Sequence, residues 1–201
     1  MKKLLSALFL LALCSSLAGA SVPDPLNCTV GPLMGDPLVP SSQVAFLSPA
    51  PILGTSITIT VRNNANVVIP NASVSVTFNT EIGVCSSAVH TGTTNTLGQC
   101  FLTLKGGGCQ TGIAAACVIR ANGISIRELL NVRSPDNEAH DVSLPDGTVT
   151  TPDLSAFGDE FVIGPPACHD YDLLDGCNTQ DLGAFGDAFA LGLAGSCTLL
   201  P

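Results

Sequence analysis

The chain has no tryptophan and one tyrosine. A carbohydrate platform built on aromatic stacking is therefore poorly supplied. Lysine and arginine are scarce too and stop at Arg133: residues 21–133 hold five of them against four acids, whereas residues 134–201 hold none against twelve acids. So anionic a chain lacks the basic footprint that nucleic-acid binding needs. Beyond the N-terminus no apolar run approaches the eighteen residues of a membrane span. No Gly-x-Ser-x-Gly elbow, His-Glu-x-x-His pair or phosphate-binding loop is present, and no Cys-x-x-Cys, so the sequence offers no catalytic constellation.

What is there begins with an export signal. Met1-Lys2-Lys3, the apolar stretch Leu4 to Leu13 and the small residues Ala18-Gly19-Ala20 read as a bacterial signal peptide over residues 1–20. The expectation is a secreted or cell-surface protein. Eight cysteines follow, five before residue 134 and three after it. In an exported chain an even count reads as disulfide stapling, here four bridges, at least one of them joining the two parts. His169 beside Cys168, with Cys177, could also suggest zinc, but export favours disulfides.

Residues 21–44 read as an extended lead-in, with an edge strand around Gln43 to Leu47. Residues 45–132 then alternate in period two: Ile57, Ile59 and Val61 in one run, Val74, Val76 and Phe78 in another. Further strands are predicted at 98–105, 115–121 and 124–132, separated by Gly106-Gly107-Gly108 and the hairpin signal Asn122-Gly123. This predicts a mostly antiparallel β-sandwich.

Residues 133–201 contain a duplication. Thr151-Pro-Asp-Leu-Ser-Ala-Phe-Gly-Asp-Glu-Phe161 returns as Thr179-Gln-Asp-Leu-Gly-Ala-Phe-Gly-Asp-Ala-Phe189, eight of eleven residues matching. Each copy follows an aspartate-rich stretch ending in glycine, Asp141 to Gly147 and Asp170 to Gly176. Carboxylates at close spacing, a glycine turn and a later acid supply the oxygen cage of a hard cation such as Ca²⁺. The dense negative charge also calls for neutralisation. The predicted ligands are Asp141, Ser143, Asp146 and Asp153 in the first loop and Asp170, Asp172, Asp175 and Asp181 in the second, which is expected to bind more tightly because it has four carboxylates against three. After each loop a helix is predicted, with Leu154, Phe157 and Phe161, or Leu182, Phe185 and Phe189, on one buried face.

At these residues the tail resembles a type I dockerin, a pair of EF-hand-like calcium loops, each followed by a helix. The resemblance implies a cohesin-like protein partner contacted through Thr151, Pro152, Thr179 and Gln180, and a link to polysaccharide degradation. Residues 45–130, through Ile57 to Arg62, Val68 to Phe78 and Thr94 to Leu104, resemble bacterial immunoglobulin-like domains of the invasin and intimin type. The fold class expected is thus mostly β, an Ig-like sandwich followed by a small α-helical dockerin-like domain. The function expected is non-catalytic attachment or assembly; the alternative is an adhesin-like surface protein whose calcium loops only stabilise the fold.

Overall fold

A computed structural model describes residues 22–137, 145–163 and 168–200. The expected signal peptide, and with it two predicted ligands, Asp141 and Ser143, lie outside the described residues. The described chain is mostly strand with two α-helices.

Strands β1 (Thr29–Gly31), β3 (Ser56–Thr60) and β7 (Gln99–Thr103) form one antiparallel sheet in the order β1-β3-β7. A four-stranded sheet combines β4 (Ser73–Phe78), β6 (Thr91–Thr93), β9 (Cys117–Ala121) and β10 (Ile124–Leu129) in the order β10-β9-β4-β6. Because side chains alternate along a strand, each sheet can bury one face. Ile57, Ile59 and Val61 point inward from the first sheet, Val74 and Val76 from the second, and all join one apolar cluster with Leu102, Leu104 and Ile119. Thr77, between two inward residues, is exposed. Phe78 is only partly buried at the edge of this cluster.

Two smaller sheets complete the body. Strand β2 (Val44–Phe46) runs parallel to β11 (Asn131–Arg133), and β5 (Gly83–Cys85) lies between β8 (Gly106–Gly107) and β12 (Leu199–Leu200). The edge strand expected around Gln43 to Leu47 is present as β2, at the edge of its two-stranded sheet, and all of it is buried. The strand expected over 124–132 splits in two because Asn131 turns its side-chain amide toward the carbonyls of Ser41 (2.8 Å) and Gln43 (3.4 Å), drawing the chain off β9 and onto β2. Gly106 and Gly107, expected as a separator, pair with β5 instead. Their lack of a side chain is what permits this: a Cβ on Gly106 would stand 2.3 Å from the Gly83 carbonyl oxygen, and one on Gly107 2.2 Å from Asp136 Oδ2. The lead-in contributes β1, and β5, β6 and β12 are too short to show a period.

The tail folds onto this body. Helix α1 (Thr151–Ile163) starts with Pro152 in its first turn, where no intrahelical N–H is required. Helix α2 (Thr179–Leu191) carries a reciprocal cap between Asn178 and Asp181 and ends at Gly192, whose φ is +46°. Phe157 and Phe185, 5.1 Å apart, pack with Val149, Tyr171 and Ala188 around Phe46 of β2. Burying such rings contributes about 1.5–3 kcal/mol each. The apolar helix face expected to be buried is only half so: Leu154, Phe161, Leu182 and Phe189 remain 37–43% exposed. Phe46 and Tyr171 occupy the inner side, leaving Phe161 and Phe189 to stack on Phe157 and Phe185 from outside at 6.0 and 5.8 Å.

Two disulfides, Cys85–Cys197 and Cys109–Cys168, bind tail to body. The expected four are therefore two, both joining the parts. Cys28, Cys100, Cys117 and Cys177 are free. Cys117 lies in the main core, where burial pushes its thiol up to about 12.

Candidate metal centre

The acid that closes each loop also starts its helix. Asp181 Oδ2 accepts the N–H of Asn178 (2.9 Å) and Oδ1 accepts that of Tyr171 (2.8 Å). Asp153 does the same with Thr150 (2.7 Å) and Asn137 (2.8 Å). Each carboxylate thus fastens its helix cap to the residue that follows the loop's first acid. The pairing identifies that first acid in both copies: Asp170 precedes Tyr171, and Asp136 precedes Asn137.

In the second loop Asp170, Asp172 and Asp181 each bring one carboxylate oxygen within 4.8 Å of the others. Asp170 is 5% exposed, and its buried Oδ1 has no hydrogen-bond donor. Burial raises the pKa of Asp170, and the neighbouring charge of Asp181 adds to it. Burial likewise raises Asp181, opposed by the N–H groups it accepts. Three acids crowded in this way favour a cation among them. The donor set is all oxygen, as a hard cation requires, and the donor-free Oδ1 gives it somewhere to bind. Asp175, predicted as a fourth ligand, is exposed and stands outside this group.

The first loop differs. Its first acid is Asp136, which sequence reasoning missed: it lies eighteen residues from Asp153 inclusive, against twelve from Asp170 to Asp181. No spacing rule reaches across six extra residues. Asp136 is fully buried, and both oxygens accept protein N–H groups, Oδ1 from Asp146 (3.2 Å) and Oδ2 from Gly147 (3.0 Å). Burial and the charge of Asp153 raise its pKa to about 7, against the pull of the Gly147 N–H. Asp153 is buried and raised as well, chiefly by desolvation. Asp146 is exposed and caps Thr148 through its own side chain (2.8 Å). Gly147 holds φ at +88°, and a Cβ there would fall 2.1 Å from the Cys197 carbonyl oxygen.

Between the loops lies a buried polar group that sequence reasoning also missed. Glu160 of α1 accepts the N–H of Cys168 (3.1 Å) and His169 (2.8 Å) and stands 3.1 Å from His169 Nδ1. Burial works against its charge, yet the His169 side chain and these N–H groups hold the carboxyl down at about 2. Arg133, fully buried at the end of β11, donates to the carbonyl of Gln110 (2.7 Å); burial lowers its pKa while the charges of Asp170 and Glu160 support it. With Cys168 in a disulfide, a zinc site using that thiol is excluded. The signal for Glu160 was present in the repeat, whose second copy has Ala188 at this position.

The four residues expected to meet a partner, Thr151, Pro152, Thr179 and Gln180, are all exposed in the first turns of α1 and α2. No described helix is long and apolar enough to cross a membrane. Comparison with protein-family models, curated proteins and solved structures finds no match to this chain.

Proposed function

We propose that the protein is an exported, non-catalytic attachment protein in which an Ig-like β-sandwich carries a dockerin-like pair of EF-hand-like loops, with Ca²⁺ held by the second. One observation carries the reading: the convergence of Asp170, Asp172 and Asp181 around a buried oxygen that no protein group serves. Bound there, Ca²⁺ would supply charge neutralisation and a fixed loop, and this chain's residues do the rest. Asp181 ties the loop to α2, and the adjacent exposed turns carry Thr179 and Gln180 toward a cohesin-like partner. The apolar cluster shared by the two larger sheets supports the sandwich half of the reading.

The alternative, a calcium-stapled cap on an adhesin-like protein, gains support from the way the tail is built into the body, through Phe46 and two disulfides. Calorimetric titration of the oxidised chain with calcium tests the shared premise. Binding to the folded state alone raises stability by about 2.7 kcal/mol at a hundred times Kd. No heat and no melting shift at millimolar calcium would overturn both versions. A calcium-dependent pull-down from the native secretome, lost on changing Thr179 and Gln180 to alanine, separates attachment from stapling.

A further inference from the structure

The peptide leading into the second loop is held by a residue that belongs to the first repeat. Glu160 projects from α1 and is 7% exposed. Its carboxylate takes the backbone N–H groups of Cys168 and His169, the two residues immediately before Asp170. The His169 ring is boxed by Phe157 and Tyr171, at 5.6 and 6.1 Å between centroids, and Cys168 is tied to Cys109. Asp170 is thus delivered by a segment whose N–H groups and side chains are fixed on several sides. Among these restraints Glu160 alone comes as a charge from the other repeat, and Ala188, its counterpart on α2, offers no such group to the first loop.

We infer that Glu160 is a positioning residue for the second loop: through the N–H groups of Cys168 and His169 it orients Asp170, so the first repeat's helix sets the cation affinity of the second repeat's loop. This rests on the reading of that loop as a calcium site. Groups that orient metal ligands without touching the metal commonly govern affinity by one to two orders of magnitude. Oriented backbone N–H groups received by a charged acceptor form strong hydrogen bonds, so loss of that acceptor loosens the backbone of the segment even while the disulfide and the His169 ring still hold its side chains.

The chain supplies its own reporter. Tyr171, the single tyrosine in a protein without tryptophan, sits between Asp170 and Asp172, so terbium excited through tyrosine reports a cation bound beside the second loop. Terbium would be loaded onto the oxidised full chain and displaced with calcium, at a temperature well below every variant's melt. Glu160→Ala is expected to weaken calcium about ten- to a hundred-fold. Glu160→Gln, which keeps one acceptor oxygen, falls between Glu160→Ala and the unaltered chain. Asp187→Asn, which removes an exposed charge from α2, changes affinity less than about two-fold, as an isolated surface charge should.

A folded Glu160→Ala protein with unaltered affinity would overturn the inference. So would equal losses in Glu160→Ala and Asp187→Asn, which would mark a general charge effect. If Glu160→Ala does not fold, Glu160→Gln decides, and unaltered affinity in it overturns the inference. Absence of any terbium signal in the unaltered chain removes this inference together with the calcium reading, whereas a binding chain with indifferent variants removes this inference alone.

Discussion

The two loops end alike and begin differently. Both close on an aspartate that accepts one N–H from the helix cap and another from the residue after the first acid, at nearly equal distances. In the first loop the opening acid, Asp136, is already served by the N–H groups of Asp146 and Gly147; in the second, Asp170 keeps a buried oxygen with no donor. Closing a loop and holding a cation are therefore separable properties. Asp153 and Asp181 both perform the first as a folding function, and among the described residues only Asp181 also gathers with its loop's opening acids, Asp170 and Asp172, in a group that could hold a cation.

The comparison would break first at the closing acids. Asp181→Ala removes a candidate ligand and two charge-assisted hydrogen bonds, and it should lower calcium affinity by more than about 100-fold, beyond what an outer group can do. The fold should lose about 3 kcal/mol, two such bonds at the lower end of their range. Asp153→Ala should lose a similar amount of stability while the tyrosine-sensitised terbium signal of the second loop survives. Thermal melts in chelator, alongside the terbium displacement, measure both. Equal loss of cation binding in the two variants would mean that the loops act as one site.

Asp136 offers a pH test of the first loop. An acid whose folded pKa lies at about 7 keeps its proton in the folded chain after the unfolded chain has lost it near 4. Its contribution to stability is therefore full below pH 4 and falls as pH rises through 7, by about 4 kcal/mol in all. His90 runs the other way: burial lowers it to about 4, so its contribution is full above pH 6.5 and falls as pH drops toward 4. The two nearly offset each other, so the quantity to measure is the difference between the unaltered chain and Asp136→Asn in chelator. That difference should shift in favour of Asp136→Asn between pH 4 and pH 7.5. A flat difference would show that the Asp146 and Gly147 N–H groups already cancel the burial.

Each loop also has its own disulfide. Cys168 precedes Asp170 by two residues, while Cys197 donates its N–H to the Gly147 carbonyl (2.8 Å). Removing either bridge should cost about 2–4 kcal/mol. Only replacement of Cys109 and Cys168 by alanine should weaken terbium binding in the second loop; replacement of Cys85 and Cys197 should leave it unchanged. Calorimetry and the luminescence assay on both double variants would sharpen or erase the distinction.

The sequence was legible where a period or a repeat recorded it. Ile57, Ile59, Val61, Val74 and Val76 do share one core, and both helices start where Thr151 and Thr179 predicted. Strands of two or three residues such as β5, β6 and β12 carry no period, and β8 is made of glycine alone, so they went unread. Asp136 was hidden by residues inserted inside its loop. Leu154 and Leu182 were misjudged because amphipathic spacing does not tell which side Phe46 of another element will cover. At the candidate cation site, Asp170, Asp172 and Asp181 stood out by spacing, whereas Glu160 accepts backbone N–H groups, a contact that a sequence does not display.

The smallest effect expected concerns Asp175, where a motif and a geometry point in different directions. An aspartate directly before a loop glycine invites assignment as a ligand, yet Asp175 is exposed while the oxygens of Asp170, Asp172 and Asp181 gather without it. Leu173 takes φ at +56°, a left-handed turn that is costly for a leucine, and Gly176 follows with φ at +75°. Two left-handed residues within four positions redirect the chain, and the intervening aspartate faces solvent. A carboxylate in that position contributes only screened attraction to a cation. Asp175→Asn should therefore change the calcium affinity of the second loop less than about two-fold in 0.15 M salt and somewhat more at low salt. A loss of ten-fold or more at both ionic strengths would mean that the loop rearranges on binding to bring Asp175 inward, and the three-acid centre would then be its resting form.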